Sequence, residues 1–550
     1  MELYSTNDVN VRWDNTVKYT TAWRTRNPDA DVANQRDNWP NHDFGDLGFS
    51  KGDQINNRID LLSELDVTYR NLGFRVSGAA WYDDVYAGGR NGYSFQSGLD
   101  ISANTQAALL GGANNKLPRA SRNIMGSHAE FSDAFVFGTF ELGDSRLAAR
   151  AGKHTVIYGE SLFLGANAIA AAQGPVDLIK GWSIPTSQFK EIALPVNQIS
   201  ANWTINNDLS IGAYYQLQWK ELRIPGVGSY FSFTDAFGPG GDLAVLGGGH
   251  LPVTRGPDFK GRDSGQWGAQ VKFRIGDIDY GIYAARYDDK APILAVNYPS
   301  TPPGGSQGNT GTFGTGTYNM MYARNIRVYG ASMSTVIGGI NVAGEISTRR
   351  NTPLQAPGDA VLMFAGMDND RNTPYARGNS LHVNLSAIAV MAASPAWDAA
   401  SLVAEYAFNR LLDVKWNPAS QPTIFGGAYP HPLNLTHTRD AHAIRFVFQP
   451  EFFQVMPGVD IQVPIGVGYG LKGRSAVVSL LPEHSGDVSV GVNATIDRAW
   501  RVGASYVHYF GDAGSPNGFN GPGGTTPFSG SYKHYHGDRD FFSVSVQRTF

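Results

Sequence analysis

In the stretch "RIDLLSELDVTYRNLGFRVSGAAWYD", residues 58–83, apolar and polar side chains alternate with a period of two. Ile59, Leu61, Leu65, Val67 and Tyr69 share one parity, while Asp60, Glu64, Asp66, Thr68 and Arg70 share the other. Successive side chains of a strand point to opposite faces, so the pattern makes a strand with one oily and one charged face. Asn71-Leu72-Gly73 supplies a tight turn, after which Phe74, Val76, Ala80 and Tyr82 alternate with Arg75, Ser77 and Asp83. A soluble sandwich can contain one such hairpin. A chain built of them needs a different solvent on each side of its sheet.

The pattern recurs to the last residue. "QISANWTINNDLSIGAYYQLQWK" sets Ile199, Ala201, Trp203 and Ile205 against Ser200, Asn202 and Thr204, then turns at Asn206-Asn207-Asp208. "QWGAQVKFRIGDIDYGIYAARY" and "DVSVGVNATIDRAWRVGASYVHYF" repeat it around Gly276-Asp277 and Asp497. Short turns are expected near residues 71, 143, 207, 276, 338, 396, 455 and 498, and long Gly/Pro/Asn-rich loops between them. Turns trimmed at one end and elaborated at the other are the habit of transmembrane barrels, with short turns on the periplasmic side. We expect a single antiparallel β-barrel domain, residues 1–550, of about eighteen strands.

Composition closes the alternatives. With 65 glycines, 29 prolines and no run of about eighteen apolar residues, the chain cannot be a bundle of membrane helices. It has no cysteine, which excludes disulfide frameworks and thiolate metal sites and suits an oxidising envelope compartment. A net charge of -4 gives no footprint for nucleic acid. The opening "MELYSTNDVNVRWDN" carries no signal-peptide pattern, so a mature exported chain in the bacterial outer membrane is expected.

In such a barrel lipid takes the oily face and a hydrated lumen takes Asp60, Glu64, Arg70, Lys272, Arg274, Glu345, Arg349 and Glu405. Tyr69, Tyr82, Trp219, Trp267 and Phe510 suit interfacial girdles. The ending "DFFSVSVQRTF", with Phe542, Val544, Val546 and the terminal Phe550, resembles the assembly signal read by the barrel-insertion machinery; Arg548 interrupts it. Outer-membrane lipids, lipopolysaccharide and that machinery are therefore expected partners.

The loops are unusually apolar. Residues 221–262 carry Tyr230, Phe231, Phe233, Phe237, Leu243 and Val245, and residues 351–378 carry Leu362, Met363 and Phe364. Two readings stay open: these groups pack on one another as a lid, or they capture a hydrophobic solute. Residues 160–195 break the strand rhythm with an Ala-rich centre and three prolines, Pro175, Pro185 and Pro195. We expect them as a plug or constriction, with Phe163, Leu164, Ile169, Pro175, Trp182 and Pro185 as gate residues.

No catalytic constellation emerges, and no cofactor or enzyme activity is expected. His534 and His536 have a two-residue spacing but no third ligand, and read as a solvated loop. Asp368 and Asp370 in "MDNDRN" have calcium-like spacing without the glycine and distal glutamate of an EF-hand, and stand as loop-cation candidates only. Ser161 lacks the second glycine of a nucleophile elbow.

The segments "GKHTVIYGES", "PVDLIKGWSIPTSQFKEIALPVNQIS", "YYQLQWKELRIPGVGSYFS", "FGPGG" and "VAGEISTRRNTPLQ" resemble the proteobacterial outer-membrane family catalogued as domain of unknown function 1302. The resemblance runs over nearly the whole chain and is densest from Gly152 to Gly241. It implies envelope transport of apolar molecules, because members are encoded beside catabolic genes for steroids, terpenes, alkanes or polyesters. It also implies a periplasmic lipid-carrier-like protein and an inner-membrane resistance-nodulation-type transporter as partners, and it supplies no site residues. The expectation is a passive outer-membrane channel for hydrophobic small molecules. The alternatives are a porin for polar or anionic solutes and an outer-membrane lipid hydrolase.

Overall fold

The computed structural model describes residues 2–6, 8–33, 44–87, 117–246, 251–297, 316–354, 360–363, 366–416, 437–478, 480–514, 517–518, 529–530 and 532–550. Eighteen antiparallel strands of these residues close into one barrel, and a short strand, Glu2–Ser5, pairs with the start of the first. In chain order they are β1 Val9–Arg24, β2 Gln54–Tyr69, β3 Leu72–Asp83, β4 Ser127–Leu142, β5 Ser145–His154 and β6 Val196–Asn206. Then follow β7 Leu209–Gln216, β8 Gln266–Ile275, β9 Ile278–Tyr287, β10 Ile326–Ile337, β11 Ile340–Pro353 and β12 Arg377–Met391. The last six are β13 Ala399–Trp416, β14 Asp440–Met456, β15 as Val459–Gln462 and Ile465–Lys472, β16 Gly486–Ile496, β17 Trp500–Phe510 and β18 Phe541–Thr549.

Each strand pairs with the next, and β18 returns to β1 from Thr16↔Thr549 to Arg24↔Phe541, which leaves no open edge. β15 is interrupted at Val463-Pro464, where proline has no N–H for the ladder; the Pro464 carbonyl still accepts the Gly491 N–H at 2.9 Å. The eight short turns and nine long connections fall where the alternation predicts them, with both termini on the short-turn side. This is the topology of a transmembrane barrel.

Its outer surface is apolar because one parity of each strand is apolar. Ile59, Leu61, Ile199, Ile282, Met333, Ile346 and Leu385 all point outward and are exposed. Where a strand carries a bulge, the parity changes with it. Opposite Val76–Gly78 the extra residue in β4 lets Asp133 donate its N–H to Ser77 Oγ at 2.9 Å, so Phe131 and Val136 both face lipid despite their odd spacing. Tyr69, Tyr82 and Trp267 are exposed girdle aromatics. Trp219 is not one of them. It lies beyond the end of β7, buried against Tyr322 at 4.7 Å with its indole N–H on the Asp289 carbonyl at 3.1 Å, because the strand ladder stops three residues earlier.

The long loops build a second layer above the barrel. Five short strands form a sheet in the order Ala360–Met363, Ile293–Asn297, Thr317–Met321, Leu251–Arg255, Leu243–Leu246. Two apolar clusters hold it down. One gathers Trp219, Ile224, Phe237, Val253, Leu294, Tyr318 and Met320; the other joins the sheet to Ala172, Tyr287, Ile326 and Val328.

Candidate functional site

The connection between β5 and β6, residues 155–195, packs against inward-facing residues of the barrel wall. Its Ala-rich part is a 3-10 turn, Ile169–Ala172, followed by two short helices, Leu178–Ser183 and Phe189–Ile192. Asp177 caps the first, accepting the Lys180 N–H at 3.0 Å, and Gln188 with Glu191 makes a capping box on the second. The prolines divide the segment into these pieces, and none of the pieces is long enough to stand without the wall.

Two wall carboxylates do most of the holding. Glu405 of β13 accepts the Ser161 hydroxyl at 2.7 Å and the backbone N–H groups of Leu162, Phe163 and Leu164 at 3.1, 2.5 and 2.8 Å. The Asn384 amide adds a further donor at 2.7 Å. Glu345 of β11 accepts the N–H groups of Glu160 and Ile169 at 2.6 and 2.8 Å. Arg349, one inward position beyond Glu345 and Ser347, donates to the Ala166 and Ala168 carbonyls at 2.7 and 3.0 Å. Buried backbone groups need partners, and strand side chains supply them here where a ladder cannot.

Asn167 ties the same turn to β12 and β13. Its amide donates to Asn384 Oδ1 and the Phe408 carbonyl at 2.9 and 3.0 Å, and its oxygen accepts from Asn409 at 3.1 Å. His382 Nδ1 lies 3.0 Å from that oxygen. Close approach at two glycines completes the fit. A Cβ on Gly330 would come within 2.7 Å of Ile169, and Gly159 sits at φ +95° against the Glu345 carboxylate. Lys290, in the loop after β9, donates to the Ala172 carbonyl at 3.3 Å; burial pushes its amine down to about 8.

The far end of the segment crosses toward β14 and β17. Arg445 donates to the Pro185 carbonyl at 2.7 Å while paired with Asp487, and the Tyr509 hydroxyl donates to the Trp182 carbonyl at 3.1 Å. Trp182 packs edge-on to Phe233, Tyr535 and His536 at 5.7, 6.2 and 4.8 Å. The segment is thus fastened at both sides of the lumen and to the loops above.

The expected apolar loop groups are mostly interior. Tyr230, Phe231 and Phe237 are buried and Phe233 is partly buried. Tyr230 lies under a buried cluster of Arg24, Asp46, Asp538 and Arg539, with both guanidinium groups 5.6 and 5.4 Å from its ring. Arg24 reaches Asp46 and Asp538 at 2.9 and 2.8 Å, which joins the first, fourth and last long loops at the β1–β18 seam. Leu243 and Val245 belong to the strand Leu243–Leu246, and Leu362 and Met363 to Ala360–Met363, with Met363 packed on the second cluster. Phe364 lies outside the described residues.

Of the lumen candidates, Asp60 and Glu64 line the wall of β2, paired with Arg58 and Arg75. Lys272 reaches Glu160 at 3.4 Å. Arg70 and Arg274 stand at the short-turn rim instead, on Asp8 at 3.1 Å and Asp279 at 2.8 Å, because each lies at or beside a turn. His534 and His536 are buried rather than solvated; their rings pack among Tyr509, Trp182 and Tyr535. Asp368 accepts the N–H groups of Asp370, Arg371 and Asn372 on one oxygen at 2.7, 2.7 and 3.0 Å, so its spacing makes a turn. Ser161 serves Glu405.

Sequence reasoning missed the neutral polar row of β12, Ser380, His382, Asn384 and Ser386, all on one parity. An inner face that is polar without charge was the available signal, since a bare hydrated wall elsewhere in this chain carries Asp, Glu and Arg.

The family description "Protein of unknown function (DUF1302)" matches residues 1–550. The chain belongs to the DUF1302 family. No curated protein matches it. Among solved structures, this DUF1302 barrel is similar to Acinetobacter baumannii OccAB4, at 8% identity and a TM-score of 0.41 over 99% of this chain and 98% of that one. It is likewise similar to Pseudomonas aeruginosa OccK8 (OprE), at 9% and 0.41 over 98% of each. A BenF-like porin from Pseudomonas fluorescens Pf-5 gives 9% and 0.40 over 99% and 98%. The DUF1302 chain is an eighteen-strand antiparallel outer-membrane barrel.

Proposed function

We propose that the channel passes small polar or charged solutes by diffusion, along a path between the inserted segment and the wall of β1–β5. One contrast carries the reading. On the docked wall the side chains of Glu345, Arg349 and Glu405 are fully covered, at 4%, 4% and 1% exposure. On the opposite wall Arg75, Glu64, Asp66 and Asp133 are each about a third exposed and form a loose mixed-charge group around Arg75. Lys180 of the inserted segment lies within electrostatic reach of Lys18, which pairs across strands with Asp60. On this reading the path between the segment and this wall is polar on both sides, and the segment acts as its constriction.

Passage of hydrophobic molecules is the second reading, and the apolar junction of Trp182, Phe233 and Tyr535 between segment and lid favours it. An apolar solute would enter by parting these rings, and transfer to a periplasmic lipid-carrier-like protein belongs to that reading. Planar-bilayer conductance, liposome swelling with sugars and small carboxylates, and uptake of a labelled sterol separate the two. Small steady conductance with solute-size-dependent swelling is expected. Absent swelling together with protein-dependent sterol uptake would replace this reading by the second.

A further inference from the structure

Arg286, Arg327 and Arg350 stand directly opposite one another on β9, β10 and β11. They share parity with Ile282, Tyr329 and Ile346, which are exposed to lipid, so all three leave the sheet on its outer face. Arg327 lies ten residues from the short turn after Ile337. At about 3.3 Å per residue and a tilt of about 40°, this is about 25 Å up the wall, the height of the apolar band. It is also one outward position beyond Tyr329. The row marks the depth of the outer-leaflet headgroups.

Like charges directly opposite in neighbouring strands are unfavourable, and the local carboxylate does not offset them. Arg327 and Arg350 line a cleft of about 550 Å³ with Arg371, Arg377 and a single acid, Asp370. Asp370 already accepts from Asn325, whose side-chain oxygen is taken by Arg286 at 2.5 Å. Among the described residues, Arg327, Arg350 and Arg371 form no side-chain ion pair or hydrogen bond. Arg377 is only 7% exposed; it donates to Asn351 and Tyr375 at 3.3 and 2.9 Å, and its Nε is left without a partner. Four guanidinium groups with spare donors around one cleft match a phosphate, which arginine binds through paired N–H groups.

We propose that this cleft binds a phosphate of the outer-leaflet glycolipid, the lipid A part of lipopolysaccharide, at the outer wall of β9–β11. The outward face of the strands separates it from any solute in the lumen, and the proposal does not rest on the channel reading above. A phosphate group bridging Arg327 and Arg350 would also offset the repulsion built into the register.

The test is the temperature at which the purified barrel loses its heat-modifiable mobility, measured with bisphosphorylated lipid A, with dephosphorylated lipid A and with inorganic phosphate. The intact chain should shift upward with bisphosphorylated lipid A only. The Arg327→Gln/Arg350→Gln variant should bind that lipid on the order of a hundredfold more weakly, the loss of two charge-assisted contacts at about tenfold each. An equal shift with dephosphorylated lipid A, an equal shift with inorganic phosphate alone, or undiminished binding by the variant overturns the proposal. If the variant does not fold, the lipid comparison on the intact chain decides.

Discussion

Arg548 shows how a side chain that breaks a pattern can be satisfied by its surroundings. Its guanidinium lies 4.9 Å from the Trp500 ring and 5.0 Å from the Phe550 ring, so a charge on the lipid-facing parity sits between two girdle aromatics at the short-turn end. Glu405 is the opposite case, a charge satisfied by backbone. Replacing it by Gln keeps the shape but puts an N–H₂ group toward N–H donors, leaving buried donors unpaired at a cost on the order of 3 kcal/mol. Glu405→Gln is expected to retain the heat-modifiable barrel, since β13 pairs through its backbone, while single-channel conductance rises and becomes noisy. Unchanged conductance would mean that residues 161–164 do not depend on this carboxylate.

At the scale of elements, the last long loop and the inserted segment share the aromatic packing of Trp182, Tyr535 and His536. Burial pushes His534 down to about 4 and His536 well below its ordinary value; Asp487 and Asp540 near His534 only partly oppose this, and Arg539 adds to it at His536. Unfolded imidazoles protonate near about pH 6.5. As pH falls from there toward 4 the opened loop therefore binds more protons than the packed one, and packing loses stability. Limited proteolysis of the last loop should accelerate between pH 6.5 and 4, and a His534→Phe/His536→Phe variant should show a flatter profile. Lys290 behaves in the other range. Its depressed amine means that the folded chain binds fewer protons than the unfolded chain between about pH 8 and 10.4, so stability rises with pH across that window. The difference in melting temperature between the intact chain and Lys290→Met should move in favour of the intact chain as pH rises from 8 to 10.

For the whole molecule, barrel and insert separate cleanly in role. The closed ladder from β1 to β18 needs no contribution from residues 155–195, whose contacts to the wall are made mainly through side chains. Replacing residues 166–185 by a short Gly/Ser linker is expected to leave a closed barrel with conductance several-fold higher, because an eighteen-strand wall without an insert encloses a wide aqueous channel. A deletion that conducts no better than the intact chain would assign the constriction to the lid.

Much of this was legible in sequence, and the boundary follows from the range of the forces. Alternation at period two, Gly/Asn turns and the inequality of the two sets of connections depend on neighbours along the chain, so "RIDLLSELDVTYRNLGFRVSGAAWYD" already contained strand, turn and face. The number of strands and the lipid-facing parity followed from such local rules repeated, and the membership in the family from the segments that resemble it. Tertiary structure decided which charges face water and which face backbone. Glu64 and Glu405 occupy the same kind of inward position, yet one is partly solvated beside Arg75 and the other lies under residues 161–164, some 240 positions earlier in the chain. It also decided that Tyr230 and Phe231 are interior, and that Arg286, Arg327 and Arg350 form one row. These are consequences of register and loop closure between distant segments, and no periodicity within a single strand encodes them.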